Sequence, residues 1–197
     1  VEYSQPVVFV INKMDRENAS FTRTLTNLRE RFGRTLVPVA LPLGEEKNFQ
    51  GVIDLIAMKA YSYEPDGTGK GNAHDIPAEL AEAAKKAHET LVEMVAEGDD
   101  DLLEEFFSSG TLTEEHLRQG LRVGLRQRRL YPVFPGCVLH NIASDLLLDF
   151  IVDFLPAPVE RGAVLGYTQP ASQGEKISRK IADDDPLSLF VFKTLAD

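Results

Sequence analysis

Four residues near the amino end, Asn12-Lys13-Met14-Asp15, have the types and the spacing to hold a guanine base. The pattern is N-K-x-D. A carboxylate at Asp15 can accept two hydrogen bonds together, from the ring N–H and the exocyclic amine of guanine. Adenine offers no such donor pair on that edge and would leave the carboxylate desolvated and unpaired, which is how a polar site rejects an analogue strongly. The Lys13 stem can lie along the flat purine face while its ammonium stays in water. The Asn12 amide both donates and accepts, which suits it to bracing the loop and reaching the base. Three specified residues also arise by chance, so their position matters. The apolar run Pro6-Val7-Val8-Phe9-Val10-Ile11 stands directly before them. A buried parallel strand reads as such a run, and ligands bind beyond the carboxyl ends of such strands.

Other chemistry is sparse, and no catalytic residue and no metal ligand is assigned. The single cysteine, Cys137, excludes an intrachain disulfide and fits a reducing, cytoplasmic setting. His74, His88, His116 and His140 are scattered without metal-ligand spacing. No G-x-x-x-x-G-K-[ST] phosphate loop is present: Gly69-Lys70 is followed by Gly71, and Glu64 stands where the first glycine belongs. Asp66-Gly67-Thr68-Gly69 matches D-x-x-G by letters alone and is discarded.

The 197 residues are enough for one or two domains, and 43% hydrophobic with 26% charged residues is ordinary for a soluble globular chain. The net charge of −10 argues against coating DNA or RNA by bulk charge. It serves solubility first and favours a basic protein partner second. Residues 146–155 form the longest apolar segment, interrupted by Asp149 and Asp153 and too short to span a membrane. No secretory signal stands at the Val-Glu-Tyr-Ser start.

The elements that must position the loop follow from periodicity. Residues 6–11 predict a buried strand. Ser20 is a candidate N-cap for a helix carrying Phe21, Leu25, Leu28 and Phe32 on one face and stopped by Gly33. Residues 36–43 predict one short strand, 44–48 a turn, 49–58 a strand or hairpin arm continued by 60–63, and 64–75 a polar glycine-rich loop. Pro77 opens a helix with Leu80, Ala84, Ala87, Leu91, Met94 and Val95 as its apolar stripe and Gly98 as its stop. Opposite lie Glu82, Glu89, Glu93 and Glu97. A short acidic helix follows over 99–107. A third, opened by Thr113, carries Leu117, Leu121 and Leu125, with arginines at its end where the helix dipole favours them. Residues 131–134 predict a strand, 136–144 a loop, and Ser144 the cap of a helix to about Leu155. Pro156-Ala157-Pro158 marks a boundary, 159–185 read as irregular, and 187–195 as a strand.

Strand and helix alternate over 1–43 and 130–158, which argues an α/β fold with a parallel sheet. Residues 44–129 read as an inserted α+β subdomain, and 159–197 as a linker with the first strand of another domain.

The order of these pieces resembles translation elongation factor G. VFVINKMDRENASF, VPVALPLGEEKNFQGVIDLIAMKA, DIPAEL, LLLDFIVDFLPAPVE and PLSLFVFKTLAD carry the likeness in that family's order and spacing, over essentially the whole chain. The resemblance implies the carboxyl half of a P-loop GTPase domain with its inserted subdomain, and the start of a β-barrel domain two. It implies GTP or GDP as ligand, with magnesium held elsewhere in the parent protein. It also implies the ribosome as partner, including the stalk protein of the large subunit, and translocation as the parent's task. The phosphate loop, the magnesium-binding threonine and the water-orienting histidine are missing, so the chain is expected to hydrolyse no GTP alone. The family's second base loop, G-S-A-x-K-N, stands here as Gly136-Cys137-Val138-Leu139-His140-Asn141. Backbone from Cys137, Val138 and Leu139 can still serve the base. The thiol weakens any supporting bond to Asp15, and His140 removes a fixed charge. These departures suggest a divergent paralogue.

Glu82, Glu89, Glu93 and Glu97 are expected to meet the lysines of the stalk protein, against the plainer reading of a solvated face. Two other readings stay open: a ribosome-protection or release-factor-recycling GTPase, and a protein-interaction module with a vestigial nucleotide loop.

Overall fold

The computed structural model describes residues 5–64, 67–168, 174–189 and 193. The chain divides into two compact units, Val1–Leu155 and Pro156–Asp197.

The first unit is α/β. Strand β1 (Phe9–Ile11) leads through the N-K-x-D loop into helix α1 (Phe21–Phe32). Ser20 caps that helix by accepting the Arg23 amide, as its residue type predicts. Phe21 and Leu25 bury, but Phe32 stays 57% exposed, covering only the Phe9 ring at 5.4 Å between centroids. Strands β2 (Leu36–Pro38) and β7 (Tyr131–Pro135) join β1 in a parallel sheet of order β1-β7-β2.

The single strand expected over 36–43 is two strands in two sheets. After β2 the chain crosses at Val39 and continues as β3 (Ala40–Leu43), which pairs antiparallel with β4 (Gly51–Asp54). Val39 serves both sheets: its amide donates to the Val133 carbonyl and its carbonyl accepts the Leu55 amide. Periodicity cannot reveal this switch, because both strands are apolar and contiguous. The turn after β3 depends on Gly44, whose φ is +82° and where a Cβ would stand 2.0 Å from the Asn48 carbonyl oxygen.

Strand β5 (Lys59–Ser62) completes a hairpin with β4, and β6 (Asn72–His74) adds an edge. Strand β6 lies inside the segment expected to be loop. All three of its residues are exposed, so it carries no apolar alternation. Helices α2 (Ala78–Ala96), α3 (Asp100–Ser109) and α4 (Glu114–Arg126) follow. Leu91, Val95, Leu117, Leu121 and Leu125 are fully buried between them; each contributes about 1.5–3 kcal/mol. Gly120 lets α4 approach closely, since a Cβ there would meet Val95 and Leu102 at 2.5 and 2.6 Å.

Helix α5 (Ser144–Phe154) closes the unit. The expected cap is corrected: Ala143 occupies the N-cap position in a left-handed conformation, and the Ser144 hydroxyl is buried without a partner. Met14, Ile11, Phe21, Leu36, Val133 and Phe134 belong to one continuous core with the helices.

The second unit contains a hairpin of β8 (Val164–Tyr167) and β9 (Lys176–Arg179), inside the segment read as irregular. Of the strand expected over 187–195, residues 187–189 are not in a strand, and Leu187 and Leu189 are 88% and 85% exposed; 190–192, 194 and 195 lie outside the described residues.

Candidate functional site

Strands β1 and β7 run parallel in the register Phe9↔Val133, Val10↔Phe134 and Ile11↔Pro135. Their next residues, Asn12 and Gly136, therefore leave the sheet side by side at its carboxyl edge. The Gly136 amide donates to the Ile11 carbonyl at 3.0 Å, and the Met14 amide donates to the Gly136 carbonyl at 3.2 Å. The two loops expected to share a base are thus laced together by backbone.

The loop bends because Lys13 takes a left-handed φ of 64°. Its amide is held by the Asn12 Oδ1 at 2.8 Å. Met14, the unspecified letter of the motif, is its anchor: the side chain is 1% exposed in the core. Two glutamates that sequence reading left unassigned brace the far side. The Glu45 carboxylate accepts the Phe21 amide and that of Glu46 accepts the Asn18 amide. The Glu46 amide also donates to the Met14 carbonyl at 2.9 Å. The GEE run after β3 was their only sequence signal.

The side chains converge as follows. The Cys137 thiol donates to the Asp15 Oδ1 at 3.1 Å. The Val138 amide donates to the Asn12 Oδ1 at 3.1 Å. The His140 Nε2 stands 3.8 Å from the Asp15 Oδ2, and the Arg16 Nε 3.9 Å from the same oxygen. Asn12 and Lys13 are exposed, Asp15 is partly so, and Val138 and Leu139 offer exposed apolar surface beside the carboxylate. The Cys137 S–H, first among the causes, holds Asp15 below the usual carboxylate range. Partial burial opposes this, and Arg16 and His140 assist. Burial pushes the Cys137 thiol upward, and Asp15 adds to that, while the Leu139 and His140 amides pull it back. Asp15 is therefore an ionised, partly open acceptor at neutral pH.

The Cys137 thiol, expected to weaken the supporting bond to Asp15, is the group that makes that bond, at 3.1 Å. One expectation changes at this site. The histidines, scattered in sequence, are not all apart from other metal-binding groups: ligand atoms of Asp15, Cys137 and His140 lie within 4.8 Å of one another. A separation of 122 residues between Asp15 and Cys137 hides that cluster from any spacing rule.

A buttress stands behind the second loop. Asp145, at the start of α5, accepts the Tyr63 hydroxyl at 2.6 Å and the Gly71 amide at 2.9 Å. A Cβ on Gly69 would meet the Asn141 side chain at 3.0 Å. The polar loop before β6 therefore touches the end of the 137–141 segment.

The other predicted set is Glu82, Glu89 and Glu93 on α2 with Glu97 at its C-cap, and all four are exposed. Among the described residues, Glu89 alone of the four has an ion pair, with Lys85 at 3.9 Å.

No family model matches the chain. A solved structure of a protein from Thermus thermophilus is similar to it, with 30% sequence identity and a TM-score of 0.71. The match covers 82% of this chain and 24% of the Thermus chain, so the chain spans about a quarter of that protein's length. The two are related in structure. Among the described residues no helix is long and apolar enough to cross a membrane.

Proposed function

We propose that the chain supplies the guanine-recognition half of a translational GTPase of the elongation factor G kind. The observation that carries this reading is the pairing of two loops at adjacent parallel strand ends, with Asp15 ionised between them. Asp15 accepts the two guanine donors, and the Lys13 stem covers the base. The guanine carbonyl takes the Val138 amide in exchange for Asn12 Oδ1. The residues fit the base and sugar end of GTP or GDP. None of them is cast as a ligand for magnesium, so phosphoryl transfer belongs to the parts of a longer parent that carry the phosphate loop. The exposed glutamates of α2 support a contact with a lysine-bearing ribosomal stalk protein, with translocation as the parent's task.

The test is nucleotide selectivity of the longer parent. Asp15→Asn removes one of two charge-assisted bonds, worth about 1.5–3 kcal/mol, or roughly 10- to 150-fold in GTP affinity. Unchanged guanine preference in that variant would remove Asp15 from the base site. The 197-residue chain alone is expected to turn over no GTP; steady release of phosphate by it would refute the division of labour.

A further inference from the structure

We infer that Asp15, Cys137 and His140 form a binding site for one borderline-soft divalent metal ion of the Zn2+ type, and that a metal held there excludes the guanine base. The second half rests on the base-recognition reading above; the first does not.

The donor set is the starting point. A thiolate, an imidazole and a carboxylate are the three protein ligand classes that zinc uses, and a site of three with one position open suits an ion that is exchangeable. Geometry comes next. In a tetrahedral site with metal–sulfur near 2.3 Å and metal–nitrogen or metal–oxygen near 2.0–2.2 Å, neighbouring ligand atoms stand roughly 3.3–3.6 Å apart. Here Sγ of Cys137 is 3.1 Å from one Asp15 oxygen, and Nε2 of His140 is 3.8 Å from the other. All three ligand atoms fall within 4.8 Å. The two distances run to different oxygens of one carboxylate, so bringing one Asp15 oxygen, the sulfur and the nitrogen from within 4.8 Å onto tetrahedral edges takes movements of up to about 1 Å.

Access and charge agree. The sulfur is buried, but the Asp15 and His140 side chains are 21% and 32% exposed, so an ion enters from their side. The thiol loses its proton to solvent on binding, and the resulting thiolate and carboxylate neutralise a divalent charge. Arg16, the other cation near the carboxylate, is 64% exposed and can swing into water. Three elements hold the ligands in place: the Met14 anchor, the Gly136 amide bond to β1, and the short 3-10 turn Val138–His140.

The consequence for the base is direct. A metal on one Asp15 oxygen takes the place of the guanine donor that oxygen would accept, so the carboxylate cannot hold the metal and both donors together. Metal and guanine occupancy are therefore alternatives at one carboxylate.

The test uses Co2+ as the probe, titrated alone into the reduced 197-residue chain at neutral pH. A saturable thiolate-to-cobalt absorption band is expected, bleached by added Zn2+. Cys137→Ser should abolish it. His140→Ala, a change at a partly exposed side chain, should weaken Co2+ binding at least about tenfold, no less than loss of an outer partner does at known sites. Should the serine variant misfold, the histidine variant and the shift of the His140 ring signals on metal addition still decide. No band in the wild type, or equal affinity in His140→Ala, overturns the site. Guanosine is then added to the cobalt-loaded chain. A raised apparent Co2+ Kd supports exclusion, and an unchanged one at a guanosine concentration that saturates the metal-free chain overturns it. Failure of guanosine to bind even the metal-free chain strikes the base reading, and the metal site stands or falls on its band.

Discussion

The Val138 amide donates to the Asn12 Oδ1 at 3.1 Å, so each of the two loops at the sheet edge fixes the other. The bond crosses from β1 to β7, strands whose register places the loop starts side by side. It gives Asn12 a role that does not require it to touch the base at all.

Removing that tie should loosen both loops. Asn12→Ala is expected to cost about 0.5–1.5 kcal/mol of unfolding free energy, read by urea denaturation. Amide exchange at Val138 should accelerate with it. A variant as stable as the wild type, with Val138 still protected, would mean the bond holds nothing.

The Cys137 thiol predicts a pH effect. Its bond lowers the Asp15 pKa from the ordinary 3.8. A depressed carboxylate stabilises the fold fully above the unfolded value and loses that contribution as pH falls through the folded value. Cys137→Ala should therefore return Asp15 toward its ordinary titration and reduce stability at neutral pH, with the difference closing in strong acid. Carbon-detected NMR titration of Asp15 follows this directly; an Asp15 midpoint that does not rise in the variant contradicts it.

Much of this arrangement was legible in the sequence, because local signals and burial agree there. The Ser20 cap, the Thr113 cap and the leucine stripe of α4 all fall where the side chains predict. The meeting of the two loops at one sheet edge was legible because each follows an apolar strand. What escaped depends on long-range pairing. Val39 divides one apolar run between two sheets, and β6 is a polar edge with no alternation to read. Ala143 took a left-handed cap position that no propensity assigns to alanine. The roles of Glu45, Glu46 and His140 come only from folding distant segments together.

The acidic face of α2 offers a third outcome. Like charges at four-residue spacing cost a helix a few tenths of a kcal/mol per pair, and Lys85 offsets only Glu89. Reversing Glu89 and Glu93 to lysine in the longer parent should slow association with stalk-containing ribosomes while leaving helicity intact. The deficit should shrink at high salt, where screening removes steering. Stopped-flow binding at two salt concentrations makes the comparison. Equal rates at low salt would leave the glutamates as a solvated face.

The account rests on guanine recognition by the two loops, and a nucleoside titration tests it without any phosphate contact. Millimolar guanosine, added to the isotope-labelled 197-residue chain, should shift the amide signals of Asn12, Lys13, Asp15, Cys137, Val138 and Leu139 in a saturable way. Adenosine at the same concentration should leave them in place. Equal responses to both nucleosides, or guanosine shifts confined to other parts of the chain, would contradict the assignment.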